Sequence, residues 1–224
     1  MARSHWWADT DWVSMAAVIL ADGQGAGSTV LLPRPLLPVG DRAILDIVLR
    51  QLCASGFDEV VIAAGRHGPL LRTVLGDGSG HGLSIRYSAD GTLSGLTDTF
   101  LLMNGDAFTD LDYGRMVAAH KCAGNALTIA TSEREVETDY GILHTDGGHA
   151  VTAYEHKPRL RHRVDMGVYA VEPAALHHAG AELEGSSLAR ALLAADERVG
   201  SYAHDGYWLD LGRADDFEQA QRAA

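Results

Sequence analysis

Cysteine is scarce. The 224 residues hold two, Cys53 and Cys122, far apart and both in helix-like surroundings. That excludes a disulfide scaffold and predicts two reduced, buried thiols in a cytoplasmic protein. Basic residues are outnumbered too: 18 Lys and Arg against 30 Asp and Glu give a formal net charge of −12. Such a field excludes nucleic acid or an anionic membrane as the main partner. A small anion stays compatible if Arg, Lys, backbone N–H groups or a metal ion offset the charge locally. No apolar run approaches the ~20 residues of a membrane span. The opening MARSHWWADTDWVSM lacks the apolar core of a secretory signal. The 11 histidines show no metal-ligand spacing, and His162, His177 and His178 are expected in solvent.

What is present is a globular composition, 46% hydrophobic and 21% charged, sufficient for a substantial core. Short apolar runs predict strands over 16–20, 59–64, 83–88, 99–103, 126–131, 164–171 and 207–211, and a hairpin over 140–155 turns at Asp146-Gly147-Gly148. Helical spacing predicts helices over 43–54, 69–75, 112–123, 187–195 (with Ser186 as N-cap) and 214–223. Strands alternating with helices imply an α/β fold with a mixed, mainly parallel sheet and helices on both faces. Residues 15–224 read as a single domain. Residues 1–14 read as an N-terminal extension whose Trp6, Trp7 and Trp12 need a surface to cover, a partner subunit being one candidate. The ligand crevice of such a sheet lies at the carboxyl ends of its strands, here 22–27, 104–106 and 210–212.

Three constellations near those ends could carry chemistry. Gly23-x-Gly25-x-Gly27 follows a strand, and glycines let backbone N–H groups approach phosphate oxygens. The spacing is neither that of a dinucleotide-binding G-x-G-x-x-G nor of a P-loop, which argues against an NAD-type protein, and a plain turn would also use these residues. Asp106 and Asp210 stand at two strand ends, where a pair of carboxylates suits Mg²⁺; each could equally cap a turn or a helix. Arg34 in Pro-Arg-Pro and Lys157 in His-Lys-Pro are cations on backbone fixed by proline, or simply solvated side chains.

Taken in order, these pieces resemble the sugar-1-phosphate nucleotidyltransferases. The family pattern AVILAGGxGTRLxPLTxxxPKPLLPVGxxPIL compares with AVILADGQGAGSTVLLPRPLLPVGDRAIL in this chain. Further matches are LCASGFDEVVI, FLLMNGDAFTDLDY, YGILHTDGGHAVTAYEHKP, VDMGVYAVEPAAL and GYWLDLGRADDFEQA, so the likeness runs from Met15 to Ala224. In length and style it is similar to the short guanylyltransferases acting on mannose or heptose 1-phosphates. The resemblance implies a Rossmann-like three-layer α/β/α (GT-A-like) fold. It also implies transfer of a nucleoside monophosphate from an NTP, GTP ahead of other bases, to a sugar 1-phosphate, giving an NDP-sugar and pyrophosphate. By position it makes Arg34 and Asp106 catalytic and Asp106 and Asp210 the Mg²⁺ ligands. Leu20, Ala21, Gly23, Gln24, Gly25 and Gly105 become the nucleotide cradle, and Tyr140, Gly141, Glu155, Lys157 and Asp165 the sugar-phosphate contacts. A cytoplasmic homodimer is the implied form.

The departures cluster at the nucleotide. Asp22 replaces the family's second glycine. The arginine of its GTR is absent from Gly25-Ala26-Gly27-Ser28, and Arg34 replaces the lysine of PKP. His156 replaces the glutamate of EKP, with Glu155 beside it, and the LGTAG segment is missing between Ser88 and Thr99. These changes leave a second expectation standing, a catalytically weakened member acting as an NDP-sugar-binding regulatory or partner subunit.

Overall fold

A computed structural model describes residues 15–21, 33–88, 93, 95–180 and 183–223. The glycine loop, including Gly23, Gln24 and Gly25, and the proposed N-terminal extension lie outside the described residues.

The chain begins with β1 (Met15–Leu20), a small β2–β3 pair (Pro38–Val39, Arg42–Ala43), α1 (Ile44–Ala54), β4 (Phe57–Ala63), α2 (Gly68–Leu75) and β5 (Ser84–Ser88). It continues through β6 (Phe100–Asn104), β7 (Ala107–Thr109), α3 (Tyr113–Ala123), β8 (Leu127–Glu137), β9 (Gly141–Thr145), β10 (Val151–His156) and β11 (Arg159–Val171). Last come α4 (Gly185–Ala194), β12 (Val199–Ala203), β13 (Trp208–Asp210) and α5 (Ala214–Ala223). Seven strands form the main sheet in the order β12-β8-β11-β6-β1-β4-β5. Its neighbours pair in parallel except where β11 meets β6 and β8.

The central strands are apolar on both faces because helices cover both. Ala17 and Ile19 of β1, with Leu101 and Met103 of β6, enter one core, shared with α1, α2, α3 and Ala220 of α5. Val18, Phe100 and Leu102 point the other way, into a core closed by Leu188, Ala189 and Leu192 of α4. This is why VIL and FLLM read as continuous apolar runs rather than alternating ones. The three-layer α/β/α arrangement expected from the sequence is therefore the observed one.

Several local expectations need correction. β8 and β11 are 11 and 13 residues long, well beyond 126–131 and 164–171. Their extra length is a two-stranded ribbon in which Glu133, Glu135 and Glu137 face Arg163, Arg161 and Arg159. Charge hid these strands from a search for apolar runs, yet opposite charges directly across a ladder stabilise it. β12, VGSYA, was not expected at all; its small and polar residues suit the edge position it occupies. Ser186 is not an N-cap. The helix begins at Gly185, and the hydroxyls of Ser186 and Ser187 donate to the Glu184 carboxylate. Both thiols are free, but Cys122 is exposed and Cys53 half-buried, because Cys122 falls on the outer side of α3. The expected hairpin is β9–β10, its turn held by the Gly148 N–H donating to Asp146. His162 and His177 are exposed and His178 half-exposed. Among the described residues no helix is long and apolar enough to cross a membrane.

Candidate active site

The site forms where β6 ends. Asn104 closes the strand, and Gly105 turns the chain so tightly that its N–H donates to the Leu20 carbonyl at 3.0 Å. A Cβ at Gly105 would stand 2.8 Å from Pro35 and 3.1 Å from that carbonyl, so the turn requires glycine there. Asp106 follows at once. β7 then pairs antiparallel with β13, Ala107 opposite Asp210, and this short ladder carries the Asp210 backbone beside Asp106. Leu20 and Gly105 thus meet through their main chains, and the Ala21 N–H is bound by Ala63 at 2.9 Å.

Arg34 opens a 3₁₀ turn between Pro33 and Pro35 and reaches Asp106 at 3.8 Å. Gly212 completes the group. A Cβ there would lie 2.7 Å from Arg34 Nη1, 2.9 Å from Asp210 Oδ1 and 3.4 Å from Asp106 Oδ2. One cation and two carboxylates therefore converge on bare backbone. Burial, then the neighbouring Asp210 charge, push the Asp106 carboxyl above the usual carboxylate range, and Arg34 opposes them. Asp210 is held on two sides: its Oδ1 accepts the Gly212 N–H at 3.0 Å and its own N–H donates to Asp216 at 2.9 Å. Among the described residues no group of three or more His, Cys, Asp or Glu could hold a metal. Two hard carboxylates with spare charge fit Mg²⁺, which takes one or two protein carboxylates and leaves the rest of its shell to water and phosphate.

The residues expected to contact sugar phosphate fall into two groups. Tyr140, Gly141, Glu155 and Lys157 gather at the open end of the β9–β10 hairpin, where Gly141 pairs with His156 and Ile142 with Glu155. The Tyr154 ring lies against Gly141, occupying the space a side chain would need. Glu155 bonds His144 at 2.8 Å, Tyr140 is 80% exposed, and Lys157 takes a left-handed φ of +46°. Asp165 stands apart on β11, where the register with β8 shifts. It accepts the Gly167 N–H at 2.8 Å and the Tyr169 hydroxyl at 2.6 Å. Gly167, at φ +71°, packs against Asn104, which joins the Asp165 bulge to the end of β6. Among the described residues no hydrogen bond or ion pair links the hairpin group to Asp106 or Asp210.

A family model described as nucleotidyl transferase matches residues 16–224. The chain belongs to this family. Among curated nucleotidyl transferases, the UTP–glucose-1-phosphate uridylyltransferase of Synechocystis is 28% identical, the match covering 93% of this chain and 63% of that protein. The mannose-1-phosphate guanyltransferase of Yarrowia lipolytica is 26% identical over 91% of this chain and 62% of its own length. The mannose-1-phosphate guanylyltransferase of Mycobacterium tuberculosis is 26% identical over 90% and 62%. The chain thus spans somewhat under two thirds of the curated relatives it matches. In three dimensions it resembles HddC from Yersinia pseudotuberculosis with a TM-score of 0.71 at 16% identity, over 93% of this chain and 99% of that one. That likeness supports the same α/β fold.

Sequence reading of this nucleotidyl transferase singled out Arg34, Asp106 and Asp210 but missed the groups that hold them. Asn104 and Gly212 lie inside quoted motifs, and their roles need the packing to be seen. Arg134 and Asp216 gave no local signal. Arg134 lies in the charged stretch of β8 and Asp216 in the acidic first turn of α5, where helix-dipole stabilisation explains an acid well enough.

Proposed function

We propose that the chain transfers a nucleoside monophosphate from an NTP to a sugar 1-phosphate, giving an NDP-sugar and pyrophosphate. The convergence of Arg34, Asp106 and Asp210 over Gly212 carries this reading. A sugar-phosphate oxygen attacks the nucleotide α-phosphorus in line; one P–O bond forms as the bond to the departing pyrophosphate breaks. Such a reaction needs positioning and charge neutralisation more than proton transfer. Arg34 supplies positive charge on a backbone fixed by two prolines. Asp106 and Asp210 would hold Mg²⁺, which when bound neutralises phosphate charge and orients phosphate oxygens. Gly212 leaves main chain bare beside Arg34, Asp106 and Asp210, and Leu20, Ala21, Gly23, Gln24, Gly25 and Gly105 form the nucleotide cradle. Tyr140, Gly141, Glu155, Lys157 and Asp165 receive the sugar phosphate.

GTP ahead of other nucleotides is supported by mannose-1-phosphate guanyl-transferring relatives at 24–26% identity, beside a uridylyltransferase at 28%. A cytoplasmic homodimer, with residues 15–224 as the catalytic unit, completes the proposal. The test is pyrophosphate release with each NTP and a panel of sugar 1-phosphates: release that is strongest with GTP is expected, and none with any pair overturns the enzyme reading. A second reading, a weakened member that binds NDP-sugar as a regulatory or partner subunit, is favoured by Asp22 and by the missing arginine in Gly25-Ala26-Gly27-Ser28. Thermal stabilisation by NDP-sugar with no turnover would select it.

A further inference from the structure

Asp216 is a buried carboxylate on α5, 6% exposed, and its Oδ2 does two things. It accepts the Asp210 N–H at 2.9 Å and the Arg134 guanidinium at 2.9 Å. Arg134 comes from β8 on the main sheet. It also donates to the Trp208 carbonyl at 3.0 Å and lies over the Trp208 ring, 4.7 Å from its centroid. β13 is three residues long, and this pair grips it at both ends. A strand that short, paired with only the equally short β7, has few ladder bonds of its own to fix it.

We infer that Asp216, held by Arg134, is a positioning residue that fixes the Asp210 carboxylate for a divalent cation. The inference rests on the reading of Asp210 as a metal ligand. With the Asp210 N–H taken by Asp216 and one carboxylate oxygen taken by Gly212, the other oxygen is directed by a locked backbone rather than by a free rotor. Partners of this kind, one bond removed from a metal, typically change affinity about 10- to 100-fold when lost. Arg134 has a second purpose in the same arrangement, because a buried carboxylate without a cation would be costly.

The experiment titrates Mn²⁺ into the full chain, read by electron paramagnetic resonance, and measures the Mg²⁺ dependence of pyrophosphate release in parallel. Asp216→Ala is expected to weaken Mn²⁺ binding about 10-fold or more and to raise the half-saturating Mg²⁺ concentration, with KM for the sugar phosphate unchanged. Asp216→Asn keeps an acceptor for the Asp210 N–H and should fall between it and wild type. Arg134→Lys, which keeps charge but loses the fork, should do likewise and covers the case in which Asp216→Ala fails to fold. A variant that melts earlier but binds Mn²⁺ as wild type does would overturn the positioning role while leaving Asp210 as ligand. Unchanged Mn²⁺ binding in Asp210→Asn would instead overturn the ligand assignment and the inference with it.

Discussion

The two ends of β6 use polar residues in opposite ways. At its start, Thr99 donates to Glu172 at 2.5 Å, His120 bridges Glu172 and Thr128, and Asn125 donates to Thr128 at 2.9 Å. His120 is fully buried, and both its ring nitrogens have partners. At the far end, Asp106 and Asp210 are brought together beside Gly212 with one guanidinium, which pairs with Asp106, and the Asp106 carboxyl is shifted upward. One end is a closed network in which each group answers another. The other is a pair of like charges that the fold holds close together, with a single guanidinium to offset them. The same strand thus ends in a satisfied network on one side and in unbalanced charge on the other, and a perturbed acid such as Asp106 marks the second as the candidate functional end.

The sharpest way to break this contrast is to neutralise the charged end. Asp106→Asn or Asp210→Asn should lower pyrophosphate release by about 10³-fold or more, measured in a coupled phosphate assay. Asp106→Asn should at the same time raise the melting temperature at pH 7. The sign follows from its upward shift: the stabilising contribution of a raised carboxyl is complete below about 3.8 and is lost as pH rises through the folded value. At neutral pH the charge is thus a burden that Asn removes, and the gain should disappear in acid.

Breaking the closed end should do the reverse. His120→Ala removes one hydrogen-bond partner from Glu172 and one from Thr128 and opens a cavity, which costs about 2–4 kcal/mol of stability in a urea titration, with kcat unchanged. A smaller effect concerns pH. Burial holds the His120 imidazolium below its ordinary 6.5, against the pull of Glu172, so the native state keeps it neutral while the unfolded chain takes up a proton. Stability should therefore decline as pH falls below about 6.5, and His120→Gln should flatten that part of the profile. Smallest of all is the exposed ribbon, where Arg161 bonds Glu135 at 2.8 Å. Arg161→Gln should cost about 0.2–1 kcal/mol.

The sequence made the architecture legible wherever burial is two-sided, because VIL and FLLM admit few other readings. It was silent on the β8–β11 ribbon, where cross-strand charge replaces burial, and on β12, an edge strand of small residues. At the site, Asp106 and Asp210 could be named from their motifs, while the partners that fix them could not. Arg134 and Asp216 are ordinary surface residue types until β13 is laid between them, since what they do depends on contacts across some eighty positions of sequence, 82 for this pair. Cys122 shows the same limit from the other side: a small apolar residue on a helix gives no sign of which face it takes.

The β7–β13 ladder has a consequence for biosynthesis. Asp106 leaves the ribosome about a hundred residues ahead of Asp210, which at ~5–20 residues per second is an interval of roughly 5–20 s. Through that interval Asp106 has no second carboxylate to stand beside it. The pair of acids exists only once translation has passed β13, and the grip on it only once α5 has followed.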